Sequence, residues 1–237
     1  MPTPVERRRG RGLGFKLALF ILASTTAIFV GAGTYAYHAA KRMLLDGVRE
    51  NAVNLIRSAA TRLEIPLAGV ERIPRYLARR IGQEMPDAKS LDRDLEDFLA
   101  GNPDVFGTAA AFASGAFAPG VARFAPYFCR KDGRPAKVPL GYEDRYELEN
   151  WYLVPRELGR PVWSEPYFDE SGGDIVTTTY SVPIYRTEGA KRTFCGVVTA
   201  DVALDWLRGQ VRKVNMYHSG YAFLLSRNGV FVSHPES

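Results

Sequence analysis

Cysteine and histidine are scarce in this chain. Among 237 residues there are two cysteines, Cys129 and Cys195, and three histidines, His38, His218 and His234. Two cysteines exclude a disulfide-built scaffold and a Cys-based zinc cluster. No H-E-x-x-H, G-x-S-x-G, Walker A or dinucleotide glycine motif occurs. Internal repeats and low-complexity stretches are missing as well. So is an excess of one charge over most of the length. Residues 1–16 hold Arg7, Arg8, Arg9, Arg11 and Lys16 against Glu6, so four of the five net positive charges sit in that tail. A nucleic-acid binder spreads its basic residues over a folded face, and nucleic acid is not expected as a partner. Fifteen prolines and 12% aromatics exclude a coiled coil and a disordered chain.

What is present begins with one long apolar run. Residues 17–37, LALFILASTTAIFVGAGTYAY, contain no charge. A helix of this length rises about 30 Å, the thickness of bilayer hydrocarbon. Ser24, Thr25, Thr26 and Thr34 can return their hydroxyls to helix carbonyls, and Tyr35 and Tyr37 sit where interfacial aromatics are expected. The basic tail, residues 1–16, precedes the run. A retained anchor with a cytoplasmic N-terminus and the rest of the chain outside is therefore expected. The rival is a cleaved signal peptide, whose apolar region is usually about 7–15 residues.

Residues 38–89 read as a stalk region. Leu45, Val48, Ala52, Leu55, Ala59 and Leu63 recur at steps of three and four, and Pro66 and Pro74 are expected to kink or interrupt the helix. Residues 90–101 read as a short helix with Ser90 as N-cap and Gly101 as stop. Five strand-like runs follow at 105–113, 122–129, 162–168, 175–185 and 194–202, separated by turn signals such as Lys131-Asp132-Gly133 and Ser171-Gly172-Gly173. Helices followed by an antiparallel five-stranded sheet make the fold α+β, with helices on one side of the sheet. Another short helix is expected over 203–214. Apolar runs at 221–226 and 230–234 flank Arg227-Asn228-Gly229, a strong hairpin signal. Since a lone hairpin is marginal, a second sheet is expected to begin here and to be cut short.

No residue set supports catalysis, and no metal or cofactor is expected. Glu165, Asp169 and Glu170 resemble a glycosidase carboxylate pair only loosely, since acids near a turn are usually solvated. A better signal combines aromatics and acids: Trp151-Tyr152, Tyr167-Phe168-Asp169, and Asp201, which interrupts the apolar run that starts at 196–200. A buried acid costs several kcal/mol unless paired. Aromatic faces with carboxylates suit an organic ammonium group, through cation–π attraction and charge-assisted hydrogen bonds. The competing reading packs Trp151 and Tyr152 into the core, starts a turn at Asp169 and caps the helix at 203 with Asp201.

The run WYLVPRELGRPVWSEPYFDESGGDIVTTTYSVPIY followed by GVVTADVALDWL resembles the extracytoplasmic double Cache sensor domains of bacterial transmembrane receptors. The likeness covers roughly residues 40–237 and is strongest to the sensor regions of membrane-bound PP2C-type (SpoIIE-like) phosphatases; histidine kinases, diguanylate cyclases and chemoreceptors are relatives. It implies PAS-like lobes, with a membrane-distal ligand-binding lobe over 90–205 and, over 206–237, a linker helix and the first hairpin of a membrane-proximal lobe. It also implies bacterial plasma-membrane localisation and a homodimer through the stalk. Residues 38–65 carry a suitable stripe for that contact. Some members bind amino acids through a Tyr, an Arg five residues on, then Trp-Tyr, Tyr-x-Asp and a distant Asp. Trp151, Tyr152, Tyr167, Asp169 and Asp201 match; the Arg position is Glu149 and the first Tyr position is Asp144. In the family the two Asp residues hold the ligand amine and the Arg helps hold its carboxylate. Both departures are acidic, which favours an amine lacking a carboxylate over an amino acid held in another way. Arg145 can pair with Glu149 or reach into the pocket. The expected partners are a small amine or amino acid, the membrane and a second copy of the chain. The alternative function is a membrane-anchored interaction module without a small ligand. In the PAS-like order the second strand is an edge and the fifth is central, which argues against a Cys129–Cys195 disulfide.

Overall fold

The computed structural model describes residues 12–141, 145–170, 174–213, 221–226 and 228–234. The chain forms two compact units, Met1–Asn54 and Leu55–Ser237. The described part of the first is helical from Leu13 on and belongs to α1 (Leu13–Gln83). Its apolar side chains are exposed, among them Leu17, Phe20, Ile28 and Phe29. The Ser24 and Thr25 hydroxyls donate to the Ile21 carbonyl at 3.0 and 2.7 Å, Thr26 donates to Leu22 at 2.8 Å and Thr34 to Val30 at 2.7 Å. Each hydroxyl is thus satisfied inside the helix, and α1 contains a stretch long and apolar enough to cross a membrane.

In the second unit α1 continues through Pro66 and Pro74, contrary to the expected interruption. A proline forfeits one backbone bond. Here the following turns are anchored by burial of Val70, Leu77, Ala78 and Ile81 in the core, which outweighs it. Next comes α2 (Ala88–Gly101), whose Leu91, Leu95, Phe98 and Leu99 form the buried face. Its N-cap is Asp87 rather than Ser90: the Asp87 carboxylate accepts from Ser90 N–H and Oγ, both at 2.9 Å. The remaining elements are β1 (Gly107–Phe112), β2 (Tyr127–Lys131), β3 (Arg134–Val138), a 3₁₀ turn (Tyr146–Leu148), α3 (Asn150–Leu158), β4 (Val162–Trp163), β5 (Tyr167–Asp169), β6 (Ile175–Glu188), β7 (Lys191–Ala203), α4 (Leu204–Arg212), β8 (Leu224–Leu225) and β9 (Phe231–Ser233).

Seven antiparallel strands form one sheet in the order β3-β2-β1-β7-β6-β4, with β5 also on β6. Two differences from the sequence reading account for the higher strand number. The run 162–168 breaks into β4 and β5. The chain also returns after Lys131 as β3, through Asp132 and Gly133 at φ 50° and 78°, a two-residue turn of the kind hairpins prefer. Pro135 hid β3 from the strand pattern, yet proline is tolerated on an edge strand. With β3 outside it, β2 is not the edge. The cysteine-bearing strands β2 and β7 are separated by β1, and both cysteines are buried free thiols. β8 and β9 form a separate hairpin; its turn residue Arg227 lies outside the described residues, as do residues 1–11, 214–220 and the Ser171-Gly172-Gly173 signal.

Strand alternation sorts the core into two faces. Ala110, Phe112, Phe128, Tyr180, Val182, Val198 and Ala200 meet α1 and α2. Ala109, Ala111, Tyr127, Cys129 and Val197 meet Tyr146, Trp151 and Tyr152 on the opposite face. Helices therefore lie on both sides of the sheet, because α3 covers the face that was expected to be open. Arg130 ties β2 to the end of α2: its guanidinium donates to the carbonyls of Val105 (2.8 Å), Leu99 (2.5 Å) and Asn102 (2.9 Å). Leu99 and Asn102 lie where α2 runs out of i+4 donors, and their carbonyls otherwise accept only from the N–H groups of Asn102 (3.3 Å) and Val105 (3.0 Å). Arg130→Ala should lower stability by about 2–3 kcal/mol, read as a reduced denaturation midpoint in urea.

Candidate functional site

The face under α3 carries the buried acids among the described residues, Asp169 and Asp201. β7 alternates Val198, Ala200 and Val202 toward the helices α1 and α2. Thr199 and Asp201 sit on the other phase, both buried. Asp201 is opposite Gly107 of β1 on one side and Thr179 of β6 on the other. It belongs to β7; Ala203, not Asp201, occupies the N-cap of α4.

Asp201 is only 4% exposed. Thr179 Oγ1 donates to its Oδ1 at 2.8 Å, and Tyr167 Oη meets the same Thr179 oxygen at 2.8 Å. A hydroxyl has one proton, so with Thr179 donating to Asp201, Tyr167 donates to Thr179. The three groups form a directed chain from β5 through β6 to β7. A Cβ at Gly107 would lie 2.8 Å from Asp201 Oδ2 and closer still to the Tyr127 hydroxyl. Glycine at this position leaves the space those two groups fill. The Tyr127 hydroxyl stands beside the carboxyl without meeting it in hydrogen-bond geometry. Burial raises Asp201 to about 7; the Thr179 hydroxyl opposes the rise, Asp169 adds to it, and Tyr127 opposes it more weakly. Burial, followed by the charges of Asp201 and Asp169, also pushes the Tyr127 phenol far above its ordinary value.

Asp169 ends β5 and is 5% exposed. Its carbonyl accepts from Asp174 N–H at 3.1 Å, which closes the β5–β6 turn. Trp151 comes from the first turn of α3 and packs edge-on against Tyr152 and stacked near Tyr146. Tyr146 anchors this segment by donating its hydroxyl to the Phe112 carbonyl at 2.5 Å. Trp151, Tyr167, Asp169 and Asp201 line one cavity together with Tyr127, Thr199, Ala109 and Leu140. Its free volume is about 10 Å³, room for a single water. A larger ligand requires α3 and β5 to move apart.

Four of the expected site residues are thus brought together. Tyr152 is fully buried behind Trp151, against Tyr146 and Phe194, and does not line the cavity. Glu149 is half-buried before α3, makes no capping bond and does not line it either. Arg145 is exposed. Asp144 lies outside the described residues. Tyr127, Thr179 and Thr199 escaped the sequence reading. The one signal for Thr199 was its spacing two residues before Asp201, and for Thr179 its place in a run of three threonines whose middle member faces away. Tyr127 reaches the site only by cross-strand packing over Gly107.

Residues 91–209 match the family model for the methyl-accepting chemotaxis protein-like first PDC sensor domain. The chain is 30% identical over 116 residues to the methyl-accepting chemotaxis protein PscA of Pseudomonas syringae pv. tomato, a match covering 47% of the chain and 17% of that protein. With TlpB of Bacillus subtilis, another methyl-accepting chemotaxis protein, it shares 31% over 99 residues, 41% of the chain and 13% of that protein. The matched region thus spans less than a fifth of either relative. Among solved structures, the extracellular domain named for the histidine kinase mmHK1S-Z3 is similar at 30% identity and a TM-score of 0.60, with 74% of this chain and 64% of that one covered. The ligand-binding domain of the Pseudomonas aeruginosa chemoreceptor PctC, solved with GABA, has the same fold at 22% identity and a TM-score of 0.57, covering 77% of this chain and 74% of that one. The phosphatase sensors expected from the sequence have no counterpart among these relatives.

Proposed function

Because the chain belongs to the methyl-accepting chemotaxis protein-like family of first PDC sensor domains, we propose that it is the extracytoplasmic input of a transmembrane receptor and that it binds a small organic amine between α3 and β5. The observation that carries the ligand class is the charge of the cavity. Its described lining holds two carboxylates, Asp169 and Asp201, and no lysine, arginine or histidine. An ammonium group finds two charge-assisted acceptors there and the rings of Trp151 and Tyr167. A ligand carboxylate finds no cation among those residues, and Glu149 stands in the sequence where related sensors carry an arginine.

Amino acids form the second reading, favoured by the fold neighbours PctC with GABA and PctB with L-Gln. In either case α1 supplies the membrane anchor and, over residues 38–65, a dimer contact. The basic tail 1–16, membrane segment 17–37, stalk 38–89, distal lobe 90–205 and segment 206–237 are the domains of this proposal. Solved relatives are extracellular and ligand-binding sensor domains, and on that likeness the chain acts by binding.

The test is calorimetric titration of the full chain in lipid nanodiscs with 1,4-diaminobutane, butylamine, GABA and L-glutamine. Binding of the amines, weakened more than tenfold by Asp169→Ala, supports the proposal. Binding of GABA or L-glutamine alone moves the amino-acid reading ahead. A folded chain that binds none of the four points to the interaction module instead.

A further inference from the structure

Two carboxyl groups line a cavity that holds no more than one water, and its described lining contains no lysine, arginine or histidine. β2 presents Tyr127 and Cys129, β5 presents Tyr167 and Asp169, β6 presents Thr179, and α3 presents Trp151, which is uncharged. Among the described residues Lys131, at the end of β2, acts on Cys129. Two carboxylates confined together out of water repel one another, and the usual outcome is that one stays protonated. The hydrogen bonds say which oxygen is involved. Thr179 already donates to Asp201 Oδ1. Oδ2 is on the Tyr127 side, next to a hydroxyl oxygen with no formed bond. A proton on Oδ2 can be donated to that oxygen, which satisfies both buried groups.

We propose that Asp201 carries a proton in the closed, ligand-free pocket and that an entering ammonium group replaces it, so that amine occupancy depends on pH. The step balances: the neutral acid and the ammonium ion give the carboxylate–ammonium pair and one proton released to solvent. It rests on the reading of the cavity as an amine site. Burial provides the bias, the Thr179 hydroxyl moderates it, and expansion of the cavity around the ligand removes it. Below the Asp201 transition near 7 an amine must first displace a proton. Its dissociation constant then rises about tenfold for each unit of pH lost; above the transition it is flat.

Two measurements on the full chain in nanodiscs test this. The first needs no ligand: infrared absorption of the protonated carboxyl, wild type minus Asp201→Asn, between pH 5 and 9. A protonated-acid band lost with a midpoint within about one unit of 7 supports the proposal; a chain with no such band at pH 5 overturns it. The second titrates 1,4-diaminobutane in buffers of different ionisation enthalpy. Release of about one proton per site at pH 6 and none at pH 9 is expected. Thr179→Val, which removes the hydroxyl favouring the charged form, should move the midpoint upward. Binding with the same affinity and no proton release at both pH values overturns the exchange while leaving the amine site standing. Absence of any binding, with the infrared band present, removes the amine reading and keeps the protonated Asp201.

Discussion

Asp201→Asn should make the ligand-free chain more stable at pH 8 while abolishing the amine binding proposed for it. The carboxyl is held at about 7 rather than the ordinary 3.8. A shift of about three units corresponds to roughly 4 kcal/mol between the two protonation states. Between these values the folded chain keeps a proton that the unfolded chain has lost. Stability therefore falls as pH rises from about 4 to 7, and it is lowest once Asp201 is ionised in the fold. Asparagine removes the charge and keeps the geometry. Its oxygen can accept from Thr179 as Oδ1 does at 2.8 Å, and its amide can donate to the buried Tyr127 hydroxyl. A gain of about 2–4 kcal/mol at pH 8, roughly 5–12 °C in thermal midpoint, is expected. The advantage over wild type should shrink as pH falls and vanish near pH 4. Thermal unfolding followed by near-ultraviolet circular dichroism at several pH values is the measurement. A variant less stable than wild type at pH 8 would show that the carboxylate is better solvated than the packing indicates. Such a gain at a residue proposed to hold the ligand is the usual trade between stability and binding.

Gly196→Ala should have the opposite and equally large effect. Gly196 lies in the middle of β7 at φ 152°, between Phe112 of β1 and Ile184 of β6. A Cβ there would run into the Ala111 carbonyl oxygen and come within 2.8 Å of Phe112 Cα. These atoms are backbone in the sheet centre and have nowhere to move without breaking the β1–β7 ladder. A loss of roughly 3 kcal/mol or more is expected, seen as a lowered urea midpoint or as insoluble protein. Gly189→Ala is the control. It sits in the β6–β7 turn at φ 63°, with nothing within 4 Å of an added Cβ. It should cost about 1 kcal/mol, from backbone strain alone. If the two variants lose the same amount, the close approach at Gly196 is not what sets its identity. The position also shifts strand phase. The register slips between Ile184 and Tyr185, and beyond it Phe194 faces the α3 side while Cys195 faces α1 and α2.

Much of this was readable in advance because it depends on local pattern. The uncharged run at 17–37, the alternating strands at 175–185 and 194–202 and the apolar face of α2 follow from one-dimensional periodicities. The carboxylates were legible for the same reason: Asp201 interrupts an apolar run, and an acid in that setting needs a cause. Contacts between distant segments were not legible. β3 was missed because Pro135 and two basic residues do not look like a strand until an edge position excuses them. The prolines of α1 were read as breaks because the packing of Val70 and Leu77 that carries the helix through them is tertiary.

Glu149 illustrates the division at the site itself. Its charge was plain from the residues, but its distance from the cavity was not, since Glu149 comes before the first turn of α3 and the neighbouring Trp151 fills the place against the cavity. Fold class, the apolar segment, and the aromatic and acidic character of the site were written into residue types and their spacing, which act over one turn or one strand. The closed volume of the cavity, the Tyr167–Thr179–Asp201 chain and the raised Asp201 carboxyl came from five elements meeting over the space left by Gly107. Desolvation and like-charge repulsion depend on what surrounds a group in three dimensions, and sequence neighbours supply only part of that surrounding.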